Sequence, residues 1–169
     1  MFKLKKAAEA DAYDIAKVQV DSWRTTYKGI VSDDYLKNLS YKKRKEVWEL
    51  AVIQNTAFLL ESDDGEIVGF AIGGPERSEE YVGYDGELYA IYLYEHAQGK
   101  GGGSMLFDAV VEDLLERGFE NMIIAVLEDN PACEFYERMG GVAIAKEEIS
   151  IGGSQHTELV YGWRNIKEL

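Results

Sequence analysis

The sequence predicts an α/β fold with a mixed, mostly antiparallel sheet of about seven strands flanked by helices. Two pairs of apolar segments are joined by Asp64-Gly65 and by Gly152-Gly153, and such turns are typical of antiparallel hairpins. Between the hairpins, residues 87–127 alternate strand, helix and strand, and a helical crossover makes its two strands parallel. We therefore expect one parallel pair at the centre of an otherwise antiparallel sheet.

Composition indicates a single domain that spans residues 1–169. Hydrophobic residues make up 46% of the 169-residue chain, which is enough to fill one hydrophobic core but too few for two separate ones. The one cysteine, Cys133, excludes an internal disulfide and fits a reducing compartment. No apolar run approaches the length of a membrane span, so we expect a soluble, cytoplasmic protein.

The net charge of −13 comes from 31 acidic and 18 basic residues. This excess repels nucleic acid and anionic membranes, so we expect neither as a partner. It also attracts a cationic amine, although a solvated acidic surface explains the charge without any ligand.

The first third of the chain predicts an edge strand and three helices. Phe2–Lys6 alternates apolar and basic residues, Asp11 offers an N-cap for a helix that runs past Trp23, and Ser32 caps a short second helix. A third helix should cover Tyr41 to about Ile53. Its apolar stripe is predicted to comprise Val47, Trp48, Leu50 and Ala51.

Two strands, Thr56–Glu61 and Ile67–Gly73, should form the first hairpin. The polar segment Pro75–Gly86 then predicts a surface loop, either functional or a passive connection. The closing hairpin should pair Val142–Ile151 with Thr157–Trp163.

The central unit joins a strand over Glu87–Tyr94 to a helix that begins near Gly103 and ends before Gly118. Between them lies the glycine loop, residues 98–103, with four glycines in its last five positions. Without nearby Cβ atoms, successive N–H groups can turn towards one point at the positive end of the helix, which is a phosphate-binding geometry. Neither a G-x-G-x-x-G nor a G-x-x-x-x-G-K-[ST] motif is present.

After the next strand, Asn121–Leu127, Pro131 suits the first turn of a helix over Ala132–Met139, capped by Asn130 or Asp129. The glycine loop reads Q-x-x-G-x-G, and residues 130–141 read N-P-x-x-x-F-Y-E-x-x-G-G. Together these motifs resemble those of the GCN5-related N-acetyltransferases (GNAT family). The likeness covers residues 87–141 as sequence and nearly the whole chain as order of elements.

The resemblance implies that the sheet is splayed at its parallel central pair and that acetyl-CoA is the cosubstrate, with no metal. Gln98 stands where arginine is commoner, and Gly102 replaces an aliphatic residue, which predicts a more flexible loop. The main chain near Leu93 is implied to hold the pantetheine arm and polarise the acetyl carbonyl. The implied coenzyme-binding residues are Ile91, Tyr92, Leu93, Gln98, Gly99, Lys100, Gly101, Gly102, Gly103, Ser104, Asn130 and Tyr136.

Acetyl transfer to an amine needs donors for an oxyanion, a base for the ammonium group and an acid for the departing thiolate. The resemblance implies Tyr136 as the acid, and the alternative is a buried, merely hydrogen-bonded tyrosine. It implies Glu87 as the base, since Glu87 stands eleven residues before Gln98. The alternative is that Glu87 is a solvated carboxylate at the exposed end of its strand. A base on the fifth strand is unavailable, because that position is Ile124.

The expected function is transfer of an acetyl group from acetyl-CoA to a primary amine of a small molecule or peptide by direct attack. Two alternatives stay open: a non-catalytic acyl-CoA sensor, and a transferase for a longer acyl group. Tyr27, Tyr81 and Tyr84 are the candidate acceptor contacts, and a homodimer formed through the closing hairpin also stays open.

Overall fold

The computed structural model describes residues 1–169 as seven strands, five α-helices and short 3-10 turns. The strands are β1 Lys3–Lys6, β2 Ala57–Glu61, β3 Ile67–Pro75, β4 Gly86–Leu93, β5 Met122–Leu127, β6 Val142–Ile151 and β7 Ser154–Trp163. The helices are α1 Ala12–Thr26, α2 Asp33–Lys37, α3 Tyr41–Gln54, α4 Gly102–Glu116 and α5 Ala132–Arg138. All predicted strands and helices are present, with bounds that differ by a few residues.

One sheet contains all seven strands in the order β1-β2-β3-β4-β5-β7-β6. Only β4 and β5 are parallel, and a single register pair, Glu87 opposite Ile123, joins them. Every other neighbouring pair is antiparallel and in register over four or more residues. The predicted mixed sheet and its splayed parallel centre are therefore confirmed.

The two faces of the sheet carry separate apolar cores. On one face, which we call the α1 face, Ile15 and Val18 of α1 pack with Phe70 and Ile72 of β3. The opposite face packs against α4 and α5, with Phe107 near its centre. Because side chains alternate along a strand, β2, β3 and β4 each contribute residues to both cores. None of the helices is both long and apolar enough to cross a membrane.

The cap predicted for α2 is present and the one predicted for α1 is not, while α3 has a serine cap that was not predicted. The hydroxyls of Ser32 and Ser40 accept hydrogen bonds from the third backbone N–H of α2 and α3, at 3.3 and 3.2 Å. Asp11 precedes α1 as predicted, but its carboxylate accepts from the Ala8 N–H at 2.7 Å instead of from the helix. The reason is a 3-10 turn over residues 9–11 that leads directly into α1.

The predicted apolar stripe of α3 is wrong by about one position around the helix. Trp48 is buried, whereas Val47 is 46% and Leu50 64% exposed. The packed face is instead Trp48 with Ala51 and Val52. Because α3 contacts mainly α1, one large residue per turn fills the space available to it.

Candidate active site

The glycine loop presents a row of free backbone donors at the start of α4. Gly99 and Gly101 have φ angles of +76° and +85°, in the left-handed region that favours glycine. The six N–H groups of residues 99–104 donate to no acceptor in the protein, since the first amide bond of this turn runs from Met105 to the Gly101 carbonyl at 3.2 Å. These donors and the helix dipole together make a site for an anion.

Close packing explains the unusual glycine at position 102. A Cβ on Gly102 would lie 2.5 Å from a Leu60 methyl carbon and 2.9 Å from Leu93. Gly102 is buried, so α4 starts against the sheet with no room for the aliphatic residue that is usual there. The expectation of a more flexible loop was therefore wrong at this residue, because Gly102 is confined by its neighbours.

Gln98 turns towards β4 instead of towards the loop amides. Its side-chain amide donates to the Leu93 carbonyl at 3.2 Å, and the Ser22 hydroxyl donates to the same oxygen at 3.1 Å. The glutamine that stands in place of the commoner arginine thus has a structural role at position 98. Lys100 is exposed and Ser104 lies in the first turn of α4.

The end of β4 directs backbone groups into the gap between β4 and β5. The Tyr94 N–H donates to the Val68 carbonyl at 2.9 Å, and antiparallel pairing alternates between bonded and non-bonded pairs. The Leu93 and Ile91 main-chain groups therefore face away from β3, towards the splayed side. Tyr92 lies between them, with its side chain on the α1 face.

Tyr136 of α5 places an unpaired hydroxyl in this gap. Its side chain is 3% exposed and packs on Tyr161 and Trp163, but its hydroxyl makes no hydrogen bond with the protein. Burial raises the pKa of Tyr136 well above its usual value, and the nearby Tyr92 and Tyr27 hydroxyls raise it further. The phenol is therefore protonated at neutral pH. Tyr136 is buried as a core tyrosine would be, but without the hydrogen bond that this alternative supposes.

Asn130 connects α5 to α1 across the same gap. Its side-chain oxygen accepts from the Ala132 N–H at 2.9 Å, and its side-chain nitrogen donates to the Tyr27 hydroxyl at 2.9 Å. Tyr27 is 3% exposed and lies 4.5 Å from Trp23, whose indole N–H donates to the Tyr92 hydroxyl at 3.0 Å. Asn130 with Tyr27 and Trp23 with Tyr92 are thus two hydrogen-bonded pairs, joined by the contact between the Trp23 and Tyr27 rings.

Glu87 lies near the start of β4 and its side chain is buried. It is therefore not a solvated carboxylate at an exposed strand end. The residue is 6% exposed. Arg77 engages both carboxylate oxygens, through its guanidinium at 3.2 and 2.7 Å and through its backbone N–H at 3.1 Å. The same guanidinium lies 4.1 Å from the ring centre of Tyr89. Arg77 comes from the predicted loop after β3, and no sequence motif marked it as the partner of Glu87.

The other two predicted acceptor contacts lie in different environments. The Tyr81 hydroxyl donates to Glu147 of β6 at 2.8 Å, close to the surface. Tyr84 is 7% exposed and packs on Ile123 and Val160. A Cβ at Gly162 would come within 2.9 Å of the Tyr84 ring, so this tyrosine packs closely on β7 and has little surface left for an acceptor.

The chain's own residues fit a diphosphate-bearing coenzyme. The loop is open at Gly99 and Gly101, because a Cβ at either residue would meet nothing within 4 Å, whereas Gly102 and Gly103 pack against side chains. The outward-facing main chain of Leu93 continues this row of polar groups into the gap, where the Tyr136 hydroxyl lies. An anion at the loop and a thioester in the gap would thus be held by one continuous surface.

Comparison with known proteins gives an independent assignment. The model of the acetyltransferase (GNAT) family matches residues 19–141. The uncharacterized N-acetyltransferase YuaI of Bacillus subtilis (strain 168) is 41% identical over 169 residues, which is 100% of this chain and 96% of that protein.

Solved structures share the fold. The PaiA N-acetyltransferase of Thermoplasma acidophilum in complex with coenzyme A has a TM-score of 0.75 at 19% identity, covering 96% of this chain and 98% of that one. YncA of Salmonella typhimurium, solved with its cofactor acetyl-CoA, has a TM-score of 0.72 at 18% identity, covering 96% of this chain and 93% of that one.

Proposed function

This chain belongs to the GNAT family of N-acetyltransferases, and from that premise we propose that it transfers an acetyl group from acetyl-CoA to a primary amine of a small molecule or peptide. The observation that carries the proposal is the row of free amides over residues 99–104, which leads into a gap that holds an unpaired tyrosine hydroxyl. We assign the activity to residues 1–169 as one domain.

The glycine loop binds the coenzyme diphosphate. Residues 99–104 supply the N–H groups, and the N-terminus of α4 adds its dipole. The main chain of residues 91–93 holds the pantetheine arm along the splayed side of β4. Asn130 supports this end of the gap through its hydrogen bonds to Tyr27 and to α5, so its role towards the coenzyme is indirect.

The residues around the gap fit a mechanism in which the acceptor amine attacks the thioester directly. The backbone N–H groups that face the gap stabilise the oxyanion that forms when the amine nitrogen adds to the thioester carbonyl. The carbon–sulfur bond then breaks, and Tyr136 donates its proton to the leaving sulfur. The raised pKa of Tyr136 suits this role, because it keeps the phenol protonated until a strongly basic thiolate forms beside it.

Glu87 acts as the base. The acceptor ammonium must lose a proton before it attacks, and Glu87 is the buried carboxylate at the edge of the gap. Arg77 holds it in position, so the proton passes from the amine to Glu87 directly or through one water molecule.

The test is thiol release from acetyl-CoA with a panel of primary amines, together with calorimetry of coenzyme A binding. We expect saturable binding and amine-dependent release. Saturable binding without release for any amine would overturn the proposal in favour of an acyl-CoA sensor. Faster release from succinyl-CoA than from acetyl-CoA would move it to a longer acyl group.

A further inference from the structure

An open groove crosses the α1 face of the sheet between β4 and β7. We define this acceptor groove by its floor, Ala125, and by two carboxylates beside it, Glu87 and Glu158. Ala125 lies in the middle of a central strand yet is exposed, while its neighbours Ile124 and Val126 are buried on the opposite face. Beyond the pair of Glu87 with Ile123, β4 diverges from β5, which leaves Ala125 without a strand partner on that side.

Strand register places Glu158 in this groove. In the antiparallel pairing of β5 with β7, Ala125 lies opposite Val160 and Leu127 opposite Glu158. Directly paired residues project on the same face of a sheet, as do residues two apart on one strand. Glu158 therefore lies on the side of the sheet that carries Ala125, Leu127 and the buried Tyr27.

Glu158 is a half-buried carboxylate without a partner. It makes no hydrogen bond from its side chain and no ion pair, whereas Arg77 neutralises Glu87 and the Tyr81 hydroxyl binds Glu147. Glu147 lies directly across from Glu158 on β6. Burial raises the pKa of Glu158, and the Glu147 and Glu87 carboxylates raise it further. Like charges directly opposite each other destabilise a sheet, and a bound cation would remove that cost.

A second, independent feature of the gap also indicates a ligand. Tyr136 is 3% exposed, and its hydroxyl, unpaired in the protein, lies near those of Tyr27 and Tyr92. Tyr27 in turn lies close enough to Glu158 for that carboxylate to raise the pKa of Tyr27. The Tyr27 hydroxyl thus lies near both the Tyr136 hydroxyl and the Glu158 carboxylate.

We propose that Glu158, backed by Glu147, binds a second positively charged group of the acceptor, so that the preferred acceptors are amines that carry another ammonium group, such as α,ω-diamines. This inference rests on the proposed acetyl transfer and names its substrate class. One amine of the diamine reacts beside Glu87 and Tyr136, while the other stays protonated at Glu158. An opposite charge in a partly desolvated groove is attracted more strongly than in bulk water.

The experiment compares α,ω-diamines of three to eight carbons with monoamines of the same chain length. In the unchanged protein we expect kcat/KM to be at least roughly tenfold higher for the best diamine than for its monoamine, as one ion pair in a partly buried site would give. Glu158→Gln should bring this ratio to about 1–3, mainly through KM of the diamine, and leave monoamine turnover nearly unchanged.

Glu148→Gln is the matched control. Glu148 is the neighbour of Glu147 on the other face of β6, where the Thr157 hydroxyl donates to it at 2.6 Å, so its loss should leave the ratio unchanged. Calorimetry with coenzyme A verifies that both variants are folded. Equal kcat/KM for diamine and monoamine in the unchanged protein, or a ratio that survives Glu158→Gln, would overturn this inference alone. Coenzyme binding without turnover of any amine would overturn the proposed function together with it.

Discussion

The two sides of the gap between β4 and β5 are built from different parts of the chain. The coenzyme side uses main-chain amides of one continuous segment, residues 99–104, and its geometry follows from local glycines. The acceptor side uses side chains from several separate elements, with Glu87 on β4, Glu158 on β7 and Arg77 in a loop. The segment proposed to bind the coenzyme is thus encoded locally, whereas the proposed acceptor recognition depends on how distant strands pair.

Tyr136 lies where the two sides meet, and its loss should have the largest effect. Tyr136→Phe keeps the ring that packs on Tyr161 and Trp163 but removes the acid, so we expect kcat to fall by about 1000-fold. Coenzyme A affinity in calorimetry should stay the same, because the hydroxyl makes no bond on which the fold depends. Unchanged turnover would take Tyr136 out of the acid role.

Glu87→Gln tests the acceptor side, because it removes the negative charge of this side chain but keeps its size and shape. We expect a fall of about 100-fold in kcat/KM at pH 7, the lower end for loss of a general base, because Arg77 already engages both oxygens. An unchanged kcat/KM would take Glu87 out of the base role and assign Glu87 and Arg77 a structural one.

Gly101→Ala tests the coenzyme side. At φ +85° an alanine is strained by about 1–2 kcal/mol, although its Cβ would meet no atom within 4 Å, so we expect roughly tenfold weaker coenzyme A binding. Gly118, after α4, has φ +91° and equally open surroundings. Gly118→Ala should lower the free energy of unfolding by a similar amount but leave coenzyme affinity unchanged. Equal affinity losses in both variants would mean that the loop amides are not the binding site.

Glu158→Gln should slightly stabilise the protein at pH 7, which is the smallest of these effects. Because the folded state raises the pKa of Glu158, it binds a proton more readily than the unfolded state, and stability falls as pH rises from about 4.3 through that raised value. We expect a gain of less than about 1 kcal/mol, since Glu158 is half exposed. The gain in the free energy of unfolding should vanish below pH 4. A loss of stability at pH 7 would mean that Glu158 has a favourable partner in the fold.

Sequence patterns predicted the fold well because its signals are local. Glycine turns and alternating apolar residues located every strand, and the strand–helix–strand order predicted the parallel pair. The buried face of α3 was mispredicted because four of the five residues 47–51 are apolar. Such a dense run does not show which of them will face α1.

The sequence named the glycine loop, Glu87, Tyr27 and Tyr136 of the candidate site, but not the residues that surround them. Glycine spacing located the loop, but the role of Gly102 depends on Leu60, which lies about forty positions earlier in the chain. Arg77 was missed because a loop arginine carries no periodic signal. Glu158 was missed because its place beside Ala125 depends on the pairing of β5 with β7. Alternation along β7 gives the face on which Glu158 lies but not its neighbours.

The single register pair between β4 and β5 also affects how the molecule opens. Strands β1–β4 and β5–β7 are two half-sheets that share little hydrogen bonding, so amides of β4 beyond Glu87 have few protein acceptors on that side. A ligand that lies along this seam supplies the missing acceptors and links the half-sheets. Hydrogen exchange along β4 should therefore slow on saturation with coenzyme, and heat should then unfold both half-sheets in one more cooperative step.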